Sequence, residues 1–360
     1  MTPKVVPVVG TVGAPARYGG FETLAEQLCV HFPAQKIQLV VYCEKRAYSA
    51  TERKGDFHGH RRVFLPLRAN GVSSMFYDAW ALLHAAFTLR ARDIYVLGYS
   101  GAWILPLLKL LRPKTRYIVN VDGMEWRRDK FSRPVKLLLK ALEYCAARSA
   151  STVIADNEAL ALLFQARYRR TPVIIAYGGD HTLPESPIPA GGHYGHYLAI
   201  ARIEPENNTH VILEGCRRAG VPLVFIGNWN ATEYGRELRR CYADEASLRL
   251  LDPIYAQDEL NVWRAGAIGY IHGHSVGGTN PSLVEALFHS SRLLSFDCAF
   301  NRATLDDAGA YFDNDASLTG LLHIPPAPIE PSRLESLRDR YRWTTIAARY
   351  RALLDSSVRP

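Results

Sequence analysis

Short runs of Val, Ile, Leu and Tyr alternate with amphipathic stretches along this chain, break once near its middle, and begin again. That rhythm constrains the fold more than any single motif, because strands alternating with helices build a parallel sheet covered by helices. The first series has candidate strands at 5–9, 37–42, 63–65, 94–97, 117–121, 152–155 and 173–176. A helix starting near Phe21 sets Phe21, Leu24, Leu28 and Phe32 on one stripe. Residues 177–195 are rich in Gly and Pro and lack periodicity, which marks a linker. The second series has candidate strands at 197–201, 223–226, 248–251, 268–271, 292–295 and 310–312, and residues 342–354 close the chain as a helix. A chain of 360 residues is long enough for two cores. The expected architecture is α/β, with two Rossmann-like domains at 1–180 and 181–341 whose parallel sheets face each other across a cleft. Residues 342–360 are expected to pack back toward the first domain.

Composition narrows the setting. Hydrophobic residues make up 48% and charged residues 22%, an ordinary globular balance. The net charge of +8 favours anionic partners without choosing among them. Between Trp126 and Arg148 seven Lys/Arg face only Asp129 and Glu143, which reads either as a solvated helix face or as a surface for an anionic membrane. Val135, Leu138, Leu139 and Leu142 give that helix an apolar stripe, whose ordinary use is core packing. Basic residues are not interleaved with aromatics in a nucleic-acid-binding pattern, so no nucleic-acid partner is expected. Six scattered cysteines without a CxxC pair suit mostly buried thiols in a reducing compartment. The apolar stretches 79–89 and 102–108 fall short of the roughly 20 residues of a spanning helix. The expected location is cytoplasmic, with peripheral contact at the inner face of the plasma membrane left open.

Three segments carry candidate chemistry. Residues 10–22, GTVGAPARYGGFE, form a glycine-rich loop between the first strand and the first helix. Its glycines would let backbone approach a ligand, or simply make a turn. It is not GxGxxG, which argues against an NAD-dependent dehydrogenase. Residues 197–208, YLAIARIEPENN, end a strand on Arg202, whose fork suits a diphosphate and could equally pair with Glu204 or Glu206. Residues 272–286, HGHSVGGTNPSLVEA, run from a strand into a helix with Asn280 as cap and Pro281 at its first position. Backbone N–H groups of Gly277, Gly278 and Thr279 could make an anion nest there. Glu285, one turn into that helix, would need neutral donors such as ribose hydroxyls. His272 and His274 lack a third nearby ligand, so no metal site is expected. The triplet Asp313-Asn314-Asp315 reads as turn and helix-cap chemistry.

ARIEPENN and HSVGGTNPSLVEA resemble the donor-binding motifs of family 4 of the retaining glycosyltransferases, which have the GT-B fold. GAPARYGGFET and NVDGMEWRRDKFS resemble a subgroup of bacterial polysaccharide rhamnosyltransferases, and the likeness runs from Val9 to the last helix. The resemblance implies a metal-independent, retaining hexosyltransferase without cofactor that moves L-rhamnose from dTDP-L-rhamnose to a lipid-linked glycan in cell-surface polysaccharide synthesis. It implies catalytic roles for Asp122, Arg202 and Glu285. Arg202, Gly277, Gly278, Thr279, Gly19 and Gly20 would hold the donor diphosphate, Glu285 the ribose, and Arg17, Tyr18, Asp122 and Glu125 would lie on the acceptor side. The segment 258–263 would lie near the nucleoside. Two departures stand out: Gly277 replaces the first of two glutamates eight positions apart, and Asn207 replaces a lysine five residues after the arginine. Both fit a donor sugar other than glucose. A UDP-hexose or UDP-N-acetylhexosamine donor, or an inactive sugar-nucleotide-binding protein, are the alternatives.

Overall fold

Apolar β-branched, aromatic and leucine residues fill the inner strands, which a helix-covered parallel sheet buries on both faces. The computed structural model describes residues 3–17, 19–121, 123–127, 131–184, 195–325 and 329–355. The chain divides into two units, Met1–Tyr177 with Trp343–Pro360, and Gly178–Arg342.

The first unit holds a seven-stranded parallel sheet: β1 (Lys4–Val9), β2 (Ile37–Glu44), β3 (Arg61–Leu65), β4 (Asp93–Leu97), β5 (Arg116–Val121), β6 (Thr152–Ala155) and β7 (Val173–Ile174). Their order is β3-β2-β1-β4-β5-β6-β7. Its helices are α1 (Gly20–His31), α2 (Ser74–Leu83), α3 (Leu105–Leu111), α4 (Arg133–Ser149) and α5 (Glu158–Tyr168), with a π-helical turn His84–Thr88 directly after α2. Leu24, Leu28 and Phe32 of the expected α1 stripe are buried, along with Val6, Val8, Leu39 and Val41 from the strands. The α4 stripe is different. Leu142 is buried, whereas Val135 and Leu138 are exposed, so only the later part of that helix packs inward.

The second unit repeats the scheme with six parallel strands: β8 (His196–Ile200), β9 (Leu223–Ile226), β10 (Leu248–Leu251), β11 (Ala267–His272), β12 (Leu293–Phe296) and β13 (Ala310–Phe312). Their order is β10-β9-β8-β11-β12-β13. The helices are α6 (Thr209–Ala219), α7 (Glu233–Cys241), α8 (Gln257–Ala265), α9 (Pro281–His289), α10 (Ala299–Leu305), α11 (Asp315–His323) and α12 (Pro331–Arg340). Phe225, Trp229, Ile212 and Leu318 centre its core. Gly215 lets α6 and α11 close on each other, since a Cβ there would lie 2.8 Å from a Leu318 methyl.

The last helix, α13 (Trp343–Asp355), belongs to the first unit. The rings of Tyr350 and Tyr95 meet edge-on at 5.4 Å. Tyr95 donates to the Tyr350 carbonyl at 2.6 Å, and Asn120 donates to the Tyr350 hydroxyl at 2.8 Å. All six cysteines are free; Cys29, Cys43 and Cys216 are buried and Cys241 is exposed. Among the described residues no helix is long and apolar enough to cross a membrane.

Candidate functional site

Sheet topology directs attention to one edge of the second unit. Strand order reverses between β8 and β11, and open α/β sheets bind ligands in the crevice at the carboxyl ends of the strands flanking such a point. The loop after β8 carries Arg202 to Asn208, and the loop after β11 carries Gly273 to Asn280. These loops are laced together. Asn208 donates to the Gly273 carbonyl at 2.8 Å, and both the amide and the hydroxyl of Ser275 donate to the Glu206 carbonyl, at 3.0 and 2.9 Å. Asn207, fully buried, donates to the Arg202 carbonyl at 2.6 Å and accepts from His274 Nδ1 at 2.6 Å. Gly273 is required for this approach, because a Cβ there would lie 2.1 Å from the Asn207 carbonyl oxygen.

Arg202 projects from this frame with 41% of its side chain exposed, and its guanidinium stands 3.9 Å from the Glu204 carboxylate. That separation is a loose pairing that leaves the fork open to a further anion. In the β11 loop Gly277 has φ 113°, a left-handed value that suits glycine. Asn280 caps α9 by accepting from the Ser282 amide at 3.0 Å, and Pro281 follows at the first helical position, as the sequence indicates. The helix start lies directly after Gly277, Gly278 and Thr279; its own first amides are taken, since Pro281 has no N–H and the Ser282, Leu283 and Val284 amides all donate to Asn280.

Glu285 lies on α9 with 18% of its side chain exposed. Its Oε2 accepts from Arg264 Nη2 at 2.8 Å, and Arg264, on α8, is almost wholly buried and also donates to Asn261 at 3.2 Å. Burial holds the Glu285 carboxyl above its usual range, and the Arg264 guanidinium offsets this only in part. His181 Nε2 is 3.8 Å from Glu285 Oε1. Burial, with help from Arg264, lowers His181 to about 4, so it faces the carboxylate as a neutral ring at pH 7. His289 donates to the Thr182 hydroxyl at 2.9 Å, and Thr182 donates to the Gly179 carbonyl at 2.8 Å. Burial first, then Arg264, brings His289 down to about 3.

His272 and Ser295 are register partners on β11 and β12 and are both buried. Neither His272 Nε2 nor Ser295 Oγ has a hydrogen-bond partner among the described residues. The His272 and His274 rings lie 6.3 Å apart, and no group of three metal-ligating side chains was found among the described residues. Asp313 accepts from Ser317, and Asn314 forms a capping box on α11, so the acidic triplet does serve as turn and cap.

In the first unit the glycine-rich loop follows β1, beside the matching reversal between β1 and β4. A Cβ at Gly10 would stand 1.9 Å from the Leu97 carbonyl oxygen, which requires glycine. The Val12 amide donates to Glu22 at 3.0 Å, Tyr48 donates to the Pro15 carbonyl at 2.8 Å, and Tyr77 donates to the Thr11 carbonyl at 3.2 Å. The loop is thus fastened from within its own unit. Gly19 has φ 121° and precedes α1, which starts at Gly20. Arg17 pairs with Glu52 and lies over the Tyr48 ring at 5.2 Å. Glu125 lies in a 3-10 turn after β5. Tyr18 and Asp122 fall outside the described residues.

HepE from Anabaena, solved with UDP and glucose, superposes with a TM-score of 0.71 at 13% identity, over 98% of this chain and 100% of that one. A glycosyltransferase from Rickettsia africae gives 0.71 at 9% identity, over 98% and 97%. A UDP-forming α,α-trehalose-phosphate synthase from Burkholderia xenovorans, in complex with glucose-6-phosphate, gives 0.71 at 11% identity, over 98% and 100%. The fold is GT-B. Residues 3–180 also match the profile of a family described as a domain of unknown function (DUF1972). No curated protein sequence matches the chain.

Within this GT-B chain the second unit brings the Arg202 and Gly277 loops together through Asn207, Asn208 and Ser275, while Glu285 is tied to Arg264. Sequence reasoning missed Arg264. Its signal was present: Leu260, Trp263 and Arg264 fall at helical spacing on one buried face of α8, and a buried arginine there requires a counter-charge.

Proposed function

We propose that this protein is a retaining glycosyltransferase that takes its sugar from a nucleoside-diphosphate donor bound at the β8–β11 edge of the second unit. The observation that carries the reading is the laced pair of loops, which presents the open Arg202 fork beside a capped helix start. Breaking the bond between the anomeric carbon and the donor phosphate leaves an electron pair on the phosphate oxygen. Preorganised cations and N–H dipoles stabilise that charge without reorganising, the role of Arg202 and of Gly277–Thr279. Glu285, oriented by its bond from Arg264, accepts from ribose hydroxyls. These groups suffice for the leaving charge, so no metal is assigned to the reaction.

The donor we assign is dTDP-L-rhamnose and the acceptor a lipid-linked glycan, on the strength of the motif resemblance. Two further features support a donor unlike glucose. Asn207 spends its side chain on Arg202 and His274, where a lysine could have reached a ligand, and Gly277 offers no carboxylate for sugar hydroxyls. We assign attack from the face that the leaving group departs: the acceptor oxygen bonds to the anomeric carbon and its proton passes to the leaving phosphate oxygen. UDP is the second candidate nucleotide, since HepE was solved with UDP.

Thermal melting with dTDP, UDP, GDP and ADP, each with and without magnesium, tests this reading. A ligand at 100 times its dissociation constant stabilises the native state by about 2.7 kcal/mol. A larger shift with dTDP than UDP, indifferent to magnesium and lost in Arg202→Ala, is expected. A preference for UDP would retain sugar transfer and discard rhamnose, and no response to any nucleotide would discard the donor site.

A further inference from the structure

We propose that one face of the first unit, built from α2, the π-helical turn after it and α3, docks onto an anionic phospholipid bilayer. On this face Phe76 is 60% exposed, Leu107 51% and Leu110 76%, and Trp80, Phe87 and Trp103 are each more than 40% exposed. Phe76, Trp80, Leu83, Phe87 and Trp103 line a shallow groove of about 660 Å³. Exposed apolar surface on this scale marks an interaction site rather than the scatter found on any protein. Tryptophan, with an apolar body and one polar N–H, suits the boundary between headgroups and acyl chains.

Charge chooses the partner. From residue 66 to residue 116 the only acidic side chains are Asp78 and Asp93, and both are buried. Asp78 accepts from Ser100 at 2.6 Å, and Asp93 is paired with Lys4 and Arg116. The exposed charges of the segment, among them Arg68, Arg90, Lys109 and Lys114, are therefore all positive. An apolar face carrying cations and no exposed anion complements anionic lipid, which attracts each such residue through its surface potential. The face continues onto the start of α4, which packs on α3 and exposes Leu137 and Leu138 beside Arg133. The cationic run farther along is used differently: Arg127 and Lys140 stack on the Trp126 ring, and Trp126 donates to buried Glu143 at 2.9 Å. This inference does not depend on the identity of the sugar donor.

Flotation of the full chain tests it, using vesicles of phosphatidylcholine alone and vesicles with roughly a third phosphatidylglycerol. Flotation only with the anionic vesicles is expected. The triple change Phe76→Ser, Leu107→Ser, Leu110→Ser should lower partitioning about tenfold or more. Lys109→Gln with Lys114→Gln should lower it at low salt, while Leu162→Ser, an exposed leucine on α5, should not. Circular dichroism and melting temperature establish that each variant is folded, as expected for exposed positions. Absence of wild-type flotation overturns the proposal, as does equal flotation of the triple variant. A lipid-free dimer that the triple change dissociates, with no vesicle binding, would assign the face to a second copy of the chain instead.

Discussion

Glu285 is held by Arg264 at 2.8 Å, and the pair offers a measurable division between stability and binding. Removing one partner of a buried pair leaves the other charge uncompensated, which costs about 3 kcal/mol or more. Arg264→Met should therefore lower unfolding free energy by about that amount in urea titration. Adding Glu285→Leu should recover much of it while leaving nucleotide binding lost; recovery of both would remove Glu285 from the ribose site. The histidines nearby predict a pH dependence. His181 and His289 are held below their unfolded value near 6.5, at about 4 and about 3. Above pH 6.5 both states carry neutral rings and these groups contribute nothing. As pH falls below 6.5 the unfolded chain takes up protons that the folded chain refuses, so stability drops by about 1.4 kcal/mol per pH unit per histidine. For His181 the drop ends near pH 4, and for His289 near pH 3. Melting temperature between pH 7 and pH 4 should fall less steeply in His181→Gln with His289→Gln than in the wild type; parallel curves would show that these rings are not buried neutral. Arg202 and Glu285 could be singled out from their motifs, whereas helical spacing marks Arg264 as a buried cation without naming its partner 21 positions on, 2.8 Å away.

At the level of elements, short apolar runs located several strands to the residue. β6 and β9 begin and end where their apolar runs do, because strands buried on both faces leave little choice of residue. The margin strand of the first sheet was less legible. β7 stops at Ile174, two residues before its apolar run ends, and both of its residues are exposed at the sheet margin. The stretch 79–89 reads as one apolar block, yet it divides into α2 and a π-helical turn, since hydropathy alone does not register an extra residue in a helical turn. α13 shows how a terminal element is fixed by contacts distant in sequence. Tyr350 is buried against Tyr95 and bonded by Asn120, and Trp343 meets the Tyr177 ring at 5.0 Å. Tyr350→Ala should cost about 3–5 kcal/mol, the range for truncating a buried aromatic. The loss should appear as faster amide hydrogen exchange in β4 and β5; unchanged exchange there would mean that α13 does not hold the first unit's sheet.

At the scale of the molecule, the two α/β units assign different tasks to their residues in the proposed reaction, and that assignment can be separated by kinetics. Arg202, Gly277 and Glu285 are proposed to act on the donor, so their loss should abolish the nucleotide-induced melting shift. Asp122 is proposed on the acceptor side, so Asp122→Asn should leave that shift intact. Same-face attack sends the acceptor's proton to the leaving phosphate oxygen, and no side chain is then needed to remove it. Under that mechanism Asp122→Asn should raise the acceptor KM while kcat stays within about tenfold of the wild type. A general base contributes about 10²–10⁴-fold, so a fall in kcat of that size with donor binding preserved would assign Asp122 as the base and replace same-face attack. Rescue by Asp122→Glu separates the cases further: a carboxylate acting as base should recover part of kcat, whereas one that only positions the acceptor should recover part of KM.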